Sequence, residues 1–390
     1  MRDDDYLRTS TSPWLKAGAG LAALAVAMGI GRFAFTPVLP MMLQDGSISI
    51  AQGSLLASSN YLGYLIGALS AVALRIRLDR AIRGGLLVIG LATLAMGAPL
   101  GLGAWLLLRL VAGIASAWVL ISISAWSFEA LAGYRRPVLN SIVFAGVGTG
   151  IALAGLLCLA LMAGQAGAAR AWDTLGALAL AATAAIWRAF AAPAASAPAA
   201  AAASAPAPDR RWNAASLRLT ACYGAFGFGY IIPATFLPVM AKNALHHSPL
   251  FGWSWPLFGL AAAISTLAVA PLVRRLGNRR LWLASQCVMA AGVAMPALWP
   301  HIVTVFAAAL CVGGTFMVIT LAAMAEAKRL AGARGTVLMA AMTSAFAAGQ
   351  IVGPLTVSGD RFSGALLLAA AVLALGALLL RAGGEPKTRV

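Results

Sequence analysis

Acidic side chains are scarce in this chain. It has 11 Asp and Glu in 390 residues, and none of them falls near the middle of an apolar segment. Charge of either sign is sparse, at 10% of residues, against 61% hydrophobic. A soluble domain is nearer a quarter charged, so this chain cannot cover itself with water-facing groups and folds only where lipid solvates its surface. Histidine is limited to three residues and cysteine to four, Cys158, Cys222, Cys287 and Cys311, each alone in its own segment with no CxxC pair. These are expected to be packing residues, and no His/Cys/carboxylate cluster has metal spacing. No Gly-x-x-x-x-Gly-Lys phosphate loop occurs, which argues against ATP driving. The glycines at 146, 148 and 150 lie in an apolar segment and not after a strand, so helix packing is their expected use. No enzyme activity, cofactor or metal is expected.

What remains is apolar length. A hydrocarbon core about 30 Å thick needs roughly 20 apolar residues per helix. Twelve segments qualify, at about 17–43, 52–74, 84–102, 104–128, 138–163, 172–190, 214–241, 250–273, 281–299, 301–325, 335–358 and 362–381. The net charge of +17 is not a nucleic-acid signature, because most Lys and Arg fall in alternate loops and the tails. That bias is the positive-inside pattern and places both termini in the cytoplasm. The basic start (Arg2, Arg8, Lys16) resembles a leader, but the apolar segment after it is too long for a signal core.

The first and seventh segments repeat each other. Gly29-Ile30-Gly31-Arg32 leads to Leu39-Pro40, and Gly227-Phe228-Gly229-Tyr230 leads to Leu237-Pro238, at a constant offset of 198 residues (29 to 227, 40 to 238). Duplicated halves with interrupted helices mark secondary transporters. Residues 191–208 are almost wholly Ala, Pro and Ser, a composition that prevents a continuous helix. The expected organisation is a tail (1–16), a six-helix bundle (17–190), a linker (191–212), a second six-helix bundle (213–382) and a short tail (383–390). The fold class is an all-α membrane protein of twelve transmembrane helices in two pseudo-symmetric bundles.

Arg32 is the sharpest candidate. It lies about 24 Å and 20 Å of helix from Lys16 and Asp45, close to mid-membrane, where a guanidinium needs a wet cavity or a partner. It is either a contact for a carboxylate or other anion, or an interhelical tie to backbone carbonyls. Tyr230 holds the equivalent place in the second half. The second segment offers Asn60, Tyr61 and Tyr64, of which Tyr61 and Tyr64 share a helix face, and the eighth offers Trp253 and Trp255. These Tyr and Trp residues read more readily as headgroup-level residues than as ligand contacts. Thr149 and Gln350, each after a glycine, are expected to face the bundle interior. Pro37, Pro40, Pro233 and Pro238 remove amide donors and are expected to soften the first and seventh helices. Arg109, a few residues into its span, is placed near the outer interface. Asp79, Arg80, Glu129 and Glu326 sit among arginines at cytoplasmic ends, as a charge-pair gate. His301 and His246-His247 are expected in outer loops.

The chain resembles the major facilitator superfamily. The resemblance rests on Arg75-Ile76-Arg77-Leu78-Asp79-Arg80 and its weaker copy Arg274 to Arg280, on Arg109-Leu110-Val111-Ala112-Gly113, and on Gly146-Val147-Gly148-Thr149-Gly150. Gly29 to Pro37, Tyr230 to Pro238 and Gly349-Gln350-Ile351-Val352-Gly353-Pro354 resemble its YbfB/YjiJ branch. It implies alternating access in the cell inner membrane and proton-coupled efflux, a role associated with the arginine that Arg109 matches. The expected partners are a small-molecule substrate, protons and the lipid bilayer, with the chain acting as a monomer and no nucleic acid involved. The mostly apolar, aromatic-lined helices and lone Arg32 point to an amphiphilic or anionic cargo. A facilitator or importer of an anionic or sugar-like metabolite, and a non-transporting receptor or scaffold, stay open beside it.

Overall fold

The computed structural model describes residues 12–73, 77–134, 136–191, 213–244, 249–332, 335–357 and 362–382. The Ala/Pro-rich linker beyond 191, residues 1–11 and 383–390 of the tails, and the His246-His247 pair lie outside the described residues. The helices are α1 (Pro13–Leu24), α2 (Phe35–Gln44), α3 (Ile50–Ala73), α4 (Leu78–Ala95), α5 (Leu102–Ala132), α6 (Pro137–Ala163) and α7 (Ala168–Ile186). The second half holds α8 (Ala214–Ala244), α9 (Ser254–Leu276), α10 (Asn278–Leu298), α11 (Ile302–Ala331), α12 (Gly335–Leu355) and α13 (Ser363–Ala382). A π-helical stretch, Ala25–Ile30, joins α1 to α2, so these two form one span and the described residues hold twelve.

Nine of the described spans are long and apolar enough to cross a membrane on length and composition alone. The other three, α3, α4 and α7, carry more polar residues, such as Gln52, Ser58 and Asn60 on α3 and Asp79, Arg80 and Arg83 on α4. They complete the first bundle by packing, α3 on α5 and α4 on both α5 and α7. Apolar side chains on the outward faces, such as Leu69, Leu107, Ile264 and Leu310, are exposed, as lipid-facing positions should be. In both bundles an arginine from the third span ties the end of the sixth. Arg83 Nε donates to Trp187 O at 3.0 Å, and Arg279 Nε to Leu380 O at 3.2 Å.

The repeat is visible as geometry. Thr36 Oγ1 donates to Ala234 O at 2.7 Å, and Lys242 Nζ to Gln44 Oε1 at 2.8 Å. Each pair is 198 residues apart, which is the repeat offset. Equivalent residues of two rotated copies can touch only on the rotation axis, so α2 and α8 cross on the pseudo-twofold. Around them α6 packs on α9 and α3 on α12, with Ser58 Oγ donating to Ile351 O at 2.9 Å. These contacts close the seam between the halves from the level of Arg32 to the face where α2 and α8 end.

The α6–α9 seam depends on missing side chains. A Cβ on Gly148 would overlap the backbone of Ala263, and one on Gly259 the backbone of Ala152. Gly148→Val is therefore expected to destabilise the protein by about 1–3 kcal/mol through overpacking. Gly84→Ala, where a Cβ meets nothing within 4 Å, should be neutral or stabilising. Thermal unfolding of the two variants in detergent checks this; equal midpoints would refute the seam assignment.

Candidate functional site: a buried guanidinium at a broken helix

The first span breaks where the sequence placed Arg32. Gly31 N and Phe33 N bond five residues back, to Val26 O at 2.9 Å and Met28 O at 3.0 Å, and a turn over Gly31–Ala34 precedes α2. Pro37 has no amide donor for Phe33 O, and Thr36 N takes that carbonyl at 3.1 Å instead. Such π-type interruptions recur at functional sites. The second copy behaves differently: α8 runs unbroken from Ala214 to Ala244 through Pro233 and Pro238. The interruption of the first span thus has no counterpart in α8, although both helices carry the expected prolines.

The reason lies on the neighbouring helices. Asn60 Nδ2 donates to Gly31 O (3.3 Å) and Arg109 O (2.9 Å). Arg109 donates from Nη1 to Gly31 O (3.3 Å) and from Nη2 to Arg32 O (3.0 Å). Ser116 Oγ lies 2.8 Å from Ala27 O and 2.7 Å from Ala112 O of its own helix, which share its single proton. Carbonyls freed by the break thus find donors, as a buried break requires. A Cβ on Gly113 would meet Asn60 O, and one on Gly313 would meet Phe258 O, so the two glycines mark equivalent helix crossings. Counted from those crossings, Asn60, Arg109 and Ser116 correspond to Phe258, Ala309 and Phe316. The second half has no polar groups at those positions to receive freed carbonyls, and its helix stays closed.

Arg109 is therefore not near the outer interface; it is buried, 3% exposed, directly behind Arg32. The Arg-x-x-x-Gly spacing works because Gly113 admits α3 closely while Arg109, one turn earlier, reaches the break. Its positive charge also faces the carbonyl end of the α1 and π segment, where the helix dipole favours a cation.

Arg32 is 2% exposed. Its Nη2 donates to Gln350 Oε1, and Gln350 Nε2 donates to Tyr230 Oη. One amide thereby links the two repeat-equivalent residues across the seam. The guanidinium carbon lies 3.8 Å from the centre of the Tyr64 ring, 5.2 Å from Tyr61 and 5.6 Å from Phe33. Tyr61 donates to Thr235 Oγ1 at 3.0 Å, since the Thr235 proton is given to Ile231 O. Tyr230 stands in an aromatic wall, 6.0 Å from Phe316 and nearly parallel to it, with Phe346 at 5.5 Å and Phe226 at 5.1 Å. Arg32 Nε and Nη1 are buried and make no hydrogen bond.

Of the sequence candidates, Arg32, Tyr61, Tyr64, Tyr230 and Gln350 come together. Thr149 does not; its hydroxyl bonds its own helix at Ala145 O (3.0 Å). Trp253 is exposed as a headgroup-level residue would be, whereas Trp255 is fully buried, its ring 6.4 Å from Phe33. The acidic residues pair locally: Asp79 with Arg77 (3.1 Å) and Glu326 with Arg329 (2.7 Å), each within its own half, while Glu129 and Arg80 are exposed. The Arg77 hydrogen bond holds the Asp79 carboxyl below its ordinary range. His301 caps the N-terminus of α11, accepting from Val303 N. Asn60, offered by the sequence beside Tyr61 and Tyr64, belongs to the site, and so do Ser116, Phe316 and Phe346, which the sequence did not single out. The 198-residue offset carried from Asn60 to Phe258 was the available signal for the polar-to-aromatic switch.

Twelve helices in two bundles, joined at a buried polar centre, define a multi-pass membrane transporter of the major facilitator fold. The solved structures of a nucleoside transporter, NupG, share it: the D323A mutant matches with a TM-score of 0.70 at 14% identity over 96% of this chain and 100% of that one. A second NupG structure gives a TM-score of 0.67 at 14% identity, over 95% and 99%. At such identity the likeness is one of fold alone. The chain belongs to the family described as uncharacterised MFS-type transporter YbfB, whose model matches residues 24–381. No curated protein matches it.

Asn60→Ala would leave buried carbonyls short of a donor, an expected loss of about 1–3 kcal/mol. Thermal unfolding measures it, and an unchanged midpoint would separate Asn60 from the break. Asp79, with its lowered pKa, contributes stability above the ordinary carboxyl range that is lost as pH falls through that lowered value. The pair is exposed, so Asp79→Asn should lower stability only slightly, above the ordinary carboxyl range, and should converge with the unchanged chain as the pH falls through the lowered value.

Proposed function

We propose that this protein is a secondary transporter that moves a small organic solute by alternating access, with Arg32, Gln350, Tyr230, Tyr61 and Tyr64 as its central site. The observation that carries this reading is the buried Arg32, which reaches Gln350 and Tyr230 of the opposite half while its Nε and Nη1 nitrogens stay unused. A guanidinium that only tied helices together would spend those donors on carbonyls, as Arg109 does. The contacts along α2–α8, α3–α12 and α6–α9 form one gate, and the bundles rock about the α2–α8 crossing to open it. Both termini lie in the cytoplasm and the protein sits in the inner (plasma) membrane, a reading supported by the placement of the basic loops.

Export in exchange for protons is the coupling that the family resemblance supports. A facilitator or importer of an anionic solute is the second reading. It is favoured by the surroundings of Arg32, where no described hydrogen bond or ion pair brings an Asp or Glu to the guanidinium. The chain is expected to act as a monomer.

Counterflow in proteoliposomes tests the class: labelled solute should exchange against unlabelled solute, and a scaffold would exchange none under any gradient. Imposing a pH gradient then separates proton-coupled export, which it would drive, from facilitation, which it would leave unchanged. Arg32→Gln, folded by thermal unfolding, should reduce exchange about tenfold or more, as expected for lost hydrogen bonds to a charged group. Unaltered exchange would make Arg32 structural.

A further inference from the structure

We propose that the solute of this site is a carboxylate carried on a flat aromatic ring, and that the Gln350 side-chain oxygen holds on Arg32 the place that this carboxylate takes. This rests on the transport reading above and narrows its substrate.

The chemistry of the unmade bonds comes first. Around the break the buried polar atoms without a partner are mostly donors: Arg32 Nε and Nη1, Arg109 Nε and Trp255 Nε1, against one acceptor, Asn60 Oδ1. Buried donors left unpaired cost free energy, so a site with this surplus is complementary to a ligand rich in acceptors. The positive charge of two buried guanidinium groups makes that ligand anionic. The Asp79 and Glu326 carboxylates are taken up by Arg77 and Arg329 on their own helices and are not turned to this centre.

Arg32 then sets the shape of the anion. Nη2 is the central nitrogen of both guanidinium forks, one completed by Nε and the other by Nη1. Gln350 uses Nη2 with its single amide oxygen and leaves both flanking donors bare. A carboxylate has two oxygens. Taking the place of Oε1 at Nη2, it fills one of the forks at the same time, turning one bond into a charge-assisted pair. Displaced from Arg32, the Gln350 amide keeps its partner Tyr230, whose own O–H proton is directed to no described acceptor and is free for the ligand.

The second half sets the rest of the molecule. Where the first half has Asn60 and Ser116, the second has Phe258 and Phe316, and with Tyr230, Phe226 and Phe346 they form stacked faces beside Arg32. Phe33 links the two environments, edge-on to Phe316 at 6.2 Å and 5.6 Å from the guanidinium. A flexible aliphatic acid would satisfy Arg32 but gain little from flat parallel rings, whereas an aromatic ring stacks on them.

The test uses the purified full chain and four probes: phenylacetate, its neutral amide phenylacetamide, aliphatic hexanoate, and the cation phenethylammonium, each titrated calorimetrically. Phenylacetate should bind about tenfold or more tightly than each of the others, the factor expected for losing one charge-assisted pair or one aromatic stack. Equal binding of hexanoate overturns the aromatic part, and equal binding of phenylacetamide overturns the carboxylate part. Gln350→Glu builds a carboxylate onto Arg32; it should raise the unfolding midpoint and weaken phenylacetate at least about tenfold. Wild-type affinity in that variant refutes the displacement. Arg32→Lys, which keeps the charge but loses the fork, should weaken phenylacetate while leaving phenylacetamide unchanged, and a parallel loss of both would count against the fork. Phenylacetate binding without counterflow would sink the transport reading alone; counterflow of a solute from another class, with phenylacetate inert, would sink this inference alone.

Discussion

A guanidinium buried among apolar helices, with no carboxylate bonded to it among the described residues, constrains the rest of this structure. Hydrocarbon does not tolerate such a charge unless neighbouring groups spread it. Here Tyr64, Tyr61 and Phe33 offer ring faces, Gln350 offers one oxygen, and Arg109 holds the backbone that carries Arg32 in place. Each of these requires close approach of another helix. Gly113 and Gly63 let α3 and α5 meet backbone to backbone beside the break, and α12 must reach across the seam for Gln350 to arrive. The architecture around Arg32 is thus the set of helix contacts that one charge demands.

Duplication supplied the frame, and divergence supplied the site. Both halves retain the same crossings, including the glycine contacts and the arginine that ties the end of the sixth span. At matching positions one half carries Asn60 and Ser116 and the other Phe258 and Phe316. The polar copy can break its first helix because Asn60 and Arg109 donate to the freed carbonyls. The aromatic copy cannot, and provides an unbroken helix with a stacked wall. A polar, charged face opposite an apolar, flat one is what an amphiphilic solute needs, and neither copy alone would provide both.

Much of this was legible in the chain. Hydropathy marked the spans, nine of them by length and apolarity alone and the more polar α3, α4 and α7 on a weaker signal. The constant offset of 198 residues identified the repeat, and depth along one helix singled out Arg32. Other features were not local. The prolines marked both repeated helices as soft, yet only one broke, because the outcome depended on donors carried by α3 and α5. Arg109 read as a near-surface residue from its distance to the span end; burial by α1, α3 and the break was invisible in that count. Thr149 and Gln350 looked alike, each following a glycine, but only Gln350 lies where the two halves meet.

The sequence by itself determined twelve spans, two related halves and a charge at mid-membrane, since period, length and repetition are properties of a single strand of residues read in order. Only the tertiary structure decided which helix opens, which arginine props the backbone and which keeps its donors unspent. The physical reason is that hydrogen-bond satisfaction in a lipid-solvated interior is a balance among several helices at once. Donors and acceptors from distant parts of the chain must be in the same place before any of them has a role.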